Sequence, residues 1–148
     1  MDALELLKQD HQKVKKLLTS ATETKDKGEQ KRLFREIKTE LETHARLEET
    51  IFYPAVQEHK DLASMVFESI EEHRQVKTLL RELGRATPGS DKFKAKLKVL
   101  KDDVEHHAEE EEEGTMFPKV RKAFTSGELD ELGEELETAK QKRMRKAS

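Results

Sequence analysis

The sequence of 148 residues has no cysteine and no tryptophan, and only one tyrosine, Tyr53. Without cysteine, disulfides, thiolate metal sites and cysteine nucleophiles are excluded. Glycine (6) and proline (3) are scarce, so little interrupts helix. There is no long apolar run, so no transmembrane helix or membrane partner is expected. The start, MDALELLKQDHQ, lacks the basic segment and apolar core of a secretory signal, which gives an expectation of a cytoplasmic protein. Hydrophobic residues are only 33% and charged residues 41%, well below the usual apolar share. A net charge of −3 makes no general electrostatic case for nucleic acid as a partner. The length suits one domain, or one domain with an extension. A chain this polar must still find a core.

The apolar residues that are present recur at helical spacing. Four stripes stand out: Leu4, Leu7, Val14, Leu18; Ile37, Leu41, Ile51; Val66, Ile70, Val76, Leu80; and Phe93, Leu97, Leu100, Val104. Steps of three, four and seven mark amphipathic helices, and no sustained alternation marks a strand. Breaks fall at residues 25–28, at Pro54 with 58–61, and at 84–90, where Asp91 is the expected helix cap. Gly114 and Pro118 are expected to interrupt the fourth helix. A fifth amphipathic piece, from about Gly127 to Met144, carries Leu129, Leu132 and Leu136. Short loops between long helices imply an all-α, up-down-up-down four-helix bundle with a short extra C-terminal helix. The expected division is residues 1–125 as the bundle and 126–148 as a helical extension with a basic tail.

The chain repeats itself once. DHQKVKKLL, residues 10–18, aligns with EHRQVKTLL, residues 72–80. His44 to Glu48, followed by Phe52-Tyr53-Pro54, aligns with His107 to Glu111, followed by Met116-Phe117-Pro118. The second copy has one more residue between its histidine and its proline. Each half is therefore a helix pair carrying the same polar residues.

Those polar residues occupy core positions. His11, His44, His73 and His107 each stand within an apolar stripe, and Glu48 and Glu111 follow two of them at i+4. Residues so spaced lie within about 40° on one face of a helix and about 6 Å apart along it, so both can reach one cation. Imidazole nitrogen with carboxylate oxygen suits iron, manganese or zinc, and a glutamate can bridge two cations. Cations also offset the several kcal/mol that an unpartnered buried carboxylate costs. Four histidines and two glutamates converging from four stripes point to a dinuclear metal site.

The pattern His11, His44-x3-Glu48, His73, His107-x3-Glu111 resembles the hemerythrin-like HHE domains over residues 4–124. The flanks EETIFYP and EEGTMFP, and the pairs Asp10-His11 and Glu72-His73, add to the likeness. The resemblance implies a four-helix bundle around two iron ions bridged by the two glutamates and an oxo or hydroxo group, with manganese or zinc ranked behind iron. It implies a small diatomic or peroxide ligand. Respiratory members carry a second histidine one turn after that of the third helix, where this chain has Lys77. One iron would then keep a position for water or another donor, which argues against a pure reversible oxygen carrier. The extra residue in the fourth motif leaves a choice. Helical phase favours Glu111, whereas counting back from Pro118 gives Glu112, reachable through a π-bulge; Glu111 is the expected ligand.

His106 is expected to be outer or surface, and His59 exposed. Phe52, Tyr53, Phe67 and Phe117 are candidates to line the pocket or simply to pack the core. The basic residues 140–146 read as a solvated tail on a helix that leans on the bundle or mediates weak self-association of an otherwise monomeric protein. Three functions follow: a module binding or sensing oxygen, nitric oxide or a related ligand; a di-iron redox enzyme acting on peroxide, oxygen or nitric oxide; or a metal-free helical interaction protein.

Overall fold

A computed structural model describes residues 1–147, apart from the Ala147 side chain; Ser148, the end of the expected extension, lies outside the described residues. Among the described residues there are five helical runs and no strand. Helix α1 is Ala3–Glu23. Helix α2 covers 27–57: Lys27–Leu47 passes through π-helical turns at Glu48–Phe52 into Tyr53–Gln57. A 3-10 turn, Lys60–Leu62, leads to α3, Ala63–Arg85. Helix α4 covers 91–123: Asp91–Glu105, a long π-helical stretch His106–Met116, then Phe117–Ala123. Helix α5 is Ser126–Ala147.

Local chemistry sets the ends. Asp2 accepts the Glu5 amide at 2.9 Å, and Asp26 accepts those of Gly28 and Glu29 at 2.8 and 3.1 Å. Such caps satisfy amides that have no partner within the helix. At α4 the cap is Ser90, which accepts the Phe93 amide at 3.2 Å, and not Asp91, which already lies in the first turn. Thr125 and Glu128 cap α5 reciprocally, each accepting the other's amide. Gly89, at φ 82°, turns the chain between α3 and α4 and donates to Gln30 Oε1 at 3.0 Å. Only a residue without Cβ takes this conformation freely, and a Cβ there would also strike the Lys27 stem.

The four bundle helices pack as antiparallel neighbours in a ring, and α5 lies across α1 and α2. Contrary to expectation, Gly114 and Pro118 do not end the fourth helix. The chain runs through them because the turns before Pro118 widen to i→i+5 bonding; the Phe117 amide bonds Glu112 O. The same happens before Pro54, where the Tyr53 amide bonds Glu48 O. A proline ring crowds the preceding turn and removes a donor, and the wider turn accommodates both.

The core is split in two. One apolar cluster gathers Leu4, Leu7, Phe52, Val66, Phe117 and the α5 residues Leu129, Leu132 and Leu136. The other gathers Val14, Leu18, Ile37, Leu80, Leu97 and Leu100. Between them runs a belt of buried polar side chains, including His11, His44, Glu48, His73, His107 and Glu112.

Candidate metal centre

The belt is built from one face of each bundle helix. Helix α1 supplies His11, α2 supplies His44 and Glu48, α3 supplies His73, and α4 supplies His107 and Glu112. Five of the six expected site residues, His11, His44, Glu48, His73 and His107, meet here. The sixth, Glu111, does not. It is half-buried and points outward, its carboxylate 3.4 Å from His106 Nε2. Glu112 takes the central place and is wholly buried, as is Glu48. In regular α-helix Glu112 would stand about 140° round from His107. The π-helical stretch His106–Met116 closes a turn every five residues and returns Glu112 to the face of His107. The residue added to the second copy of the repeat is thus absorbed by a longer π stretch, and the count from the proline is the one that holds.

Two donor groups result. Ligand atoms of His11, His44, Glu48 and Glu112 lie within 4.8 Å of one another, and so do those of Glu48, His73 and His107. Glu48 Oε1 is 3.2 Å from His44 Nε2 and 3.1 Å from His73 Nε2, so one carboxylate spans both groups. Glu112 is 2.9 Å from His11 Nε2 by one oxygen and 3.6 Å from His107 Nε2 by the other.

Each histidine has its Nδ1 engaged by a carboxylate. His11 meets Glu113 at 2.7 Å, His44 meets Asp10 at 3.1 Å, His73 meets Glu49 at 2.7 Å and His107 meets Glu72 at 2.5 Å. With Nδ1–H donated outward, each Nε2 presents a lone pair to the centre, the arrangement by which carboxylates orient metal-binding imidazoles. Each outer carboxylate comes from a neighbouring helix and is the sequence neighbour of a central residue, so the four form a closed ring. Two have a further cationic neighbour, Lys140 on Asp10 at 2.5 Å and Lys77 on Glu49 at 3.1 Å, and His106 Nε2 lies 3.8 Å from Glu72. The sequence reading missed Glu49 and Glu113. Their signal was the second acid after each central glutamate, in both copies of the repeat.

The residues fit cations. His11 Nε2, His44 Nε2, both Glu48 oxygens and one Glu112 oxygen are buried without a hydrogen-bond partner. His73 Nε2 and His107 Nε2 face one another at 3.1 Å. Two lone pairs at that distance require a proton or a metal between them. The titration behaviour agrees. Burial opposes ionisation of Glu48, but the His44 charge outweighs it and holds the carboxyl well below its ordinary range. Burial likewise opposes the charged form of His44, yet Glu48 and Asp10 raise it to about 10. His107 is raised well above its usual value against the same burial, chiefly by Glu112. Without metal, the centre neutralises its carboxylates with protons on imidazole.

Two features frame the centre. Tyr53 reaches in from the carboxylate side, donating to Glu112 Oε2 at 2.5 Å with its hydroxyl 3.4 Å from both His73 and His107 Nε2. Burial and the nearby Glu112 and Glu48 charges push its phenol well above the usual range, so it keeps its proton. On the histidine side is a cavity of about 40 Å³, walled by Val14, Leu41, Val76, Leu80 and Val104. Of the other aromatic candidates, Phe52 and Phe117 are buried, with Phe117 stacked on His11, while Phe67 is 57% exposed on the surface. His106 is at the surface, and His59, expected to be exposed, is half-buried against Phe124.

Comparison with known proteins agrees with this geometry. Residues 2–120 match the hemerythrin HHE cation binding domain family. The crystal structure of a hemerythrin HHE cation binding domain-containing protein from Mycobacterium kansasii, an Rv2633c homolog, superposes with a TM-score of 0.87 at 30% identity, covering 99% of this chain and 90% of that one. The uncharacterized protein Rv2633c of Mycobacterium tuberculosis is 29% identical over 137 residues, 92% of this chain and 83% of that protein. A Nostoc protein named DNA nickase is 28% identical over 142 residues; these are 96% of this chain but 40% of that protein, so the chain spans well under half its length. By the family match, the bundle and the buried donor groups, this chain belongs to the hemerythrin HHE cation-binding domain family.

Proposed function

We propose that the protein is a non-haem di-iron protein that binds a small ligand such as oxygen or nitric oxide. His11, His44, Glu48 and Glu112 would hold one ion, and His73, His107 and Glu48, with Glu112 in reach, the other. Iron, when bound, supplies Lewis-acid and one-electron redox chemistry. The carrying observation is that two buried donor groups share Glu48, keep their Nε2 atoms turned inward and border a small apolar cavity. A cavity of about 40 Å³ is sized for one or two molecules no larger than water. Val14, Leu41, Val76, Leu80 and Val104 keep bulk water from it.

The decisive experiment is metal analysis of the purified protein, with its near-ultraviolet and visible spectrum before and after anaerobic iron loading. About two iron ions per chain are expected, and a content below about one after loading would remove the reading. His59→Ala should keep its metal, because His59 lies away from the centre.

A second reading, a redox enzyme acting on peroxide, is favoured by Tyr53. Its hydroxyl keeps a proton inside the centre, hydrogen-bonded to Glu112 Oε2, a donor that phenylalanine at the matching position of the repeat, Phe117, does not offer. Turnover of hydrogen peroxide by the iron-loaded protein separates enzyme from binder. Tyr53→Phe should lower that turnover about 100-fold or more with iron content unchanged, the scale of a positioned proton donor.

A further inference from the structure

Helices α2, α3 and α5 converge on a cleft of about 400 Å³, separate from the cavity over the metal centre. Its walls carry Lys38 and Arg46 from α2, Lys77 and Arg81 from α3, and Arg143 from α5. Two carboxylates accompany these five cations, and both are already engaged. Glu42 lies 3.8 Å from Lys38, and Glu49 holds both His73 and Lys77. Among the described residues Arg46, Arg81 and Arg143 have no carboxylate at ion-pair distance. A chain of net charge −3 therefore gathers an excess of positive charge in one concavity.

A solvated helix face would spread such side chains over convex surface. Here they come from three helices and point into a common space, where like charges destabilise one another unless an anion lies between them. The guanidinium fork matches the planar, paired oxygens of phosphate. The volume is that of a small-molecule site. An extended polyanion would also meet the acidic remainder of the surface, including the exposed Glu109 and Glu110, which opposes it.

We propose that this cleft is a binding site for a small phosphate-bearing anion. Lys77 and Leu80 belong to the walls of both cavities, so an anion bound here lies one layer of side chains from the metal centre. It would also compete with Glu49 for Lys77. The proposal goes beyond the di-iron reading and does not depend on it.

The test is calorimetric titration of the metal-free full chain with inorganic pyrophosphate at low ionic strength. Saturable binding of one pyrophosphate per chain is expected, and Arg81→Glu with Arg143→Glu should weaken it more than tenfold. Lys16→Glu with Lys119→Glu changes net charge equally on exposed positions outside the cleft and should retain binding within about twofold. Far-UV circular dichroism verifies that both double variants fold, as expected for surface positions. Equal loss in the two variants would show that net charge alone governs binding and overturn the site. So would the absence of saturable binding, or a duplex oligonucleotide that binds the cleft more tightly than pyrophosphate does.

Discussion

The two donor groups of the centre share their carboxylates but differ in what surrounds them. The His11–His44 group has Phe117 stacked on one imidazole at 6.1 Å, while the His73–His107 group has the Tyr53 hydroxyl 3.4 Å from both Nε2 atoms. Tyr53 and Phe117 stand at the same place in the repeat, each just before a proline. The outer carboxylates also differ in their support. Asp10 is held by Lys140 from α5, outside the four-helix repeat, whereas Glu49 is held by Lys77 from within it. The duplicated halves keep the residues that face the centre and diverge in the residues one step behind. Position in the repeat therefore reports on the proposed ligands, and the neighbours report on what each half does with them.

The comparison is broken most completely where the halves are joined. Glu48 belongs to both donor groups. Glu48→Gln keeps the shape but removes the charge that offsets two cations, so iron per chain should fall from about two to nearly none. Retention of one ion would show that the groups fill independently. Single-half variants should do less. His11→Ala should empty the first group and His73→Ala the second, each leaving about one iron per chain by elemental analysis. If either loses both ions, the shared carboxylates dominate and the two-group description fails.

How far the sequence carries this comparison depends on which rule governs each residue. The bundle was legible because apolar stripes of period 3.6 and short breaks leave few alternatives. The histidines were legible because they interrupt those stripes at core positions, as do Asp10-His11 and Glu72-His73 in parallel. Glu112 was not chosen because regular helical phase was carried through a segment that is π-helical. An extra residue between His107 and Pro118 signalled the change, but phase arithmetic alone favours Glu111. The Lys140–Asp10 contact was not legible at all. It joins positions 130 residues apart, and only the docking of α5 brings them together. The basic tail read as solvated, yet its first lysine supports the centre. Gly133, where a Cβ would fall on the Met1 carbonyl, shows how closely that helix must approach.

Protons and metal compete for the same nitrogens, which gives the two states of the protein opposite pH dependence. In the metal-free protein, His44 is raised from 6.5 to about 10, and His11, His73 and His107 are also raised, each against burial by its carboxylate neighbours. A raised folded-state pKa contributes stability that is complete below about 6.5 and lost as pH climbs toward the folded value. Glu48 and Glu112 are lowered despite burial, so their contribution is present above about 4.5 and lost in acid. The metal-free thermal midpoint should therefore be highest between about pH 4.5 and 6.5 and fall by several degrees toward pH 10. The iron-loaded protein should show no such fall, because cations replace the protons, and should instead lose metal as pH falls and protons reclaim the imidazoles. Parallel pH profiles for the two states, followed by circular dichroism, would place the proton load elsewhere.

The finest test addresses the support behind each half. Lys140 and Lys77 each hold an outer carboxylate that orients one imidazole, Asp10 for His44 and Glu49 for His73. Removing an outer carboxylate itself typically weakens metal binding about 10–100-fold. Each lysine acts one step further out and is partly exposed, so its loss should weaken binding only about threefold, screened by solvent. The effects should also separate. Lys140→Met should loosen the ion held by His11 and His44, and Lys77→Met the one held by His73 and His107. Competition with a chelator, read as two release phases, distinguishes them: one variant accelerates one phase and the other variant the other. If both accelerate the same phase, the carboxylate ring acts as a unit. The α5 lysine would then support the whole centre rather than the half it touches.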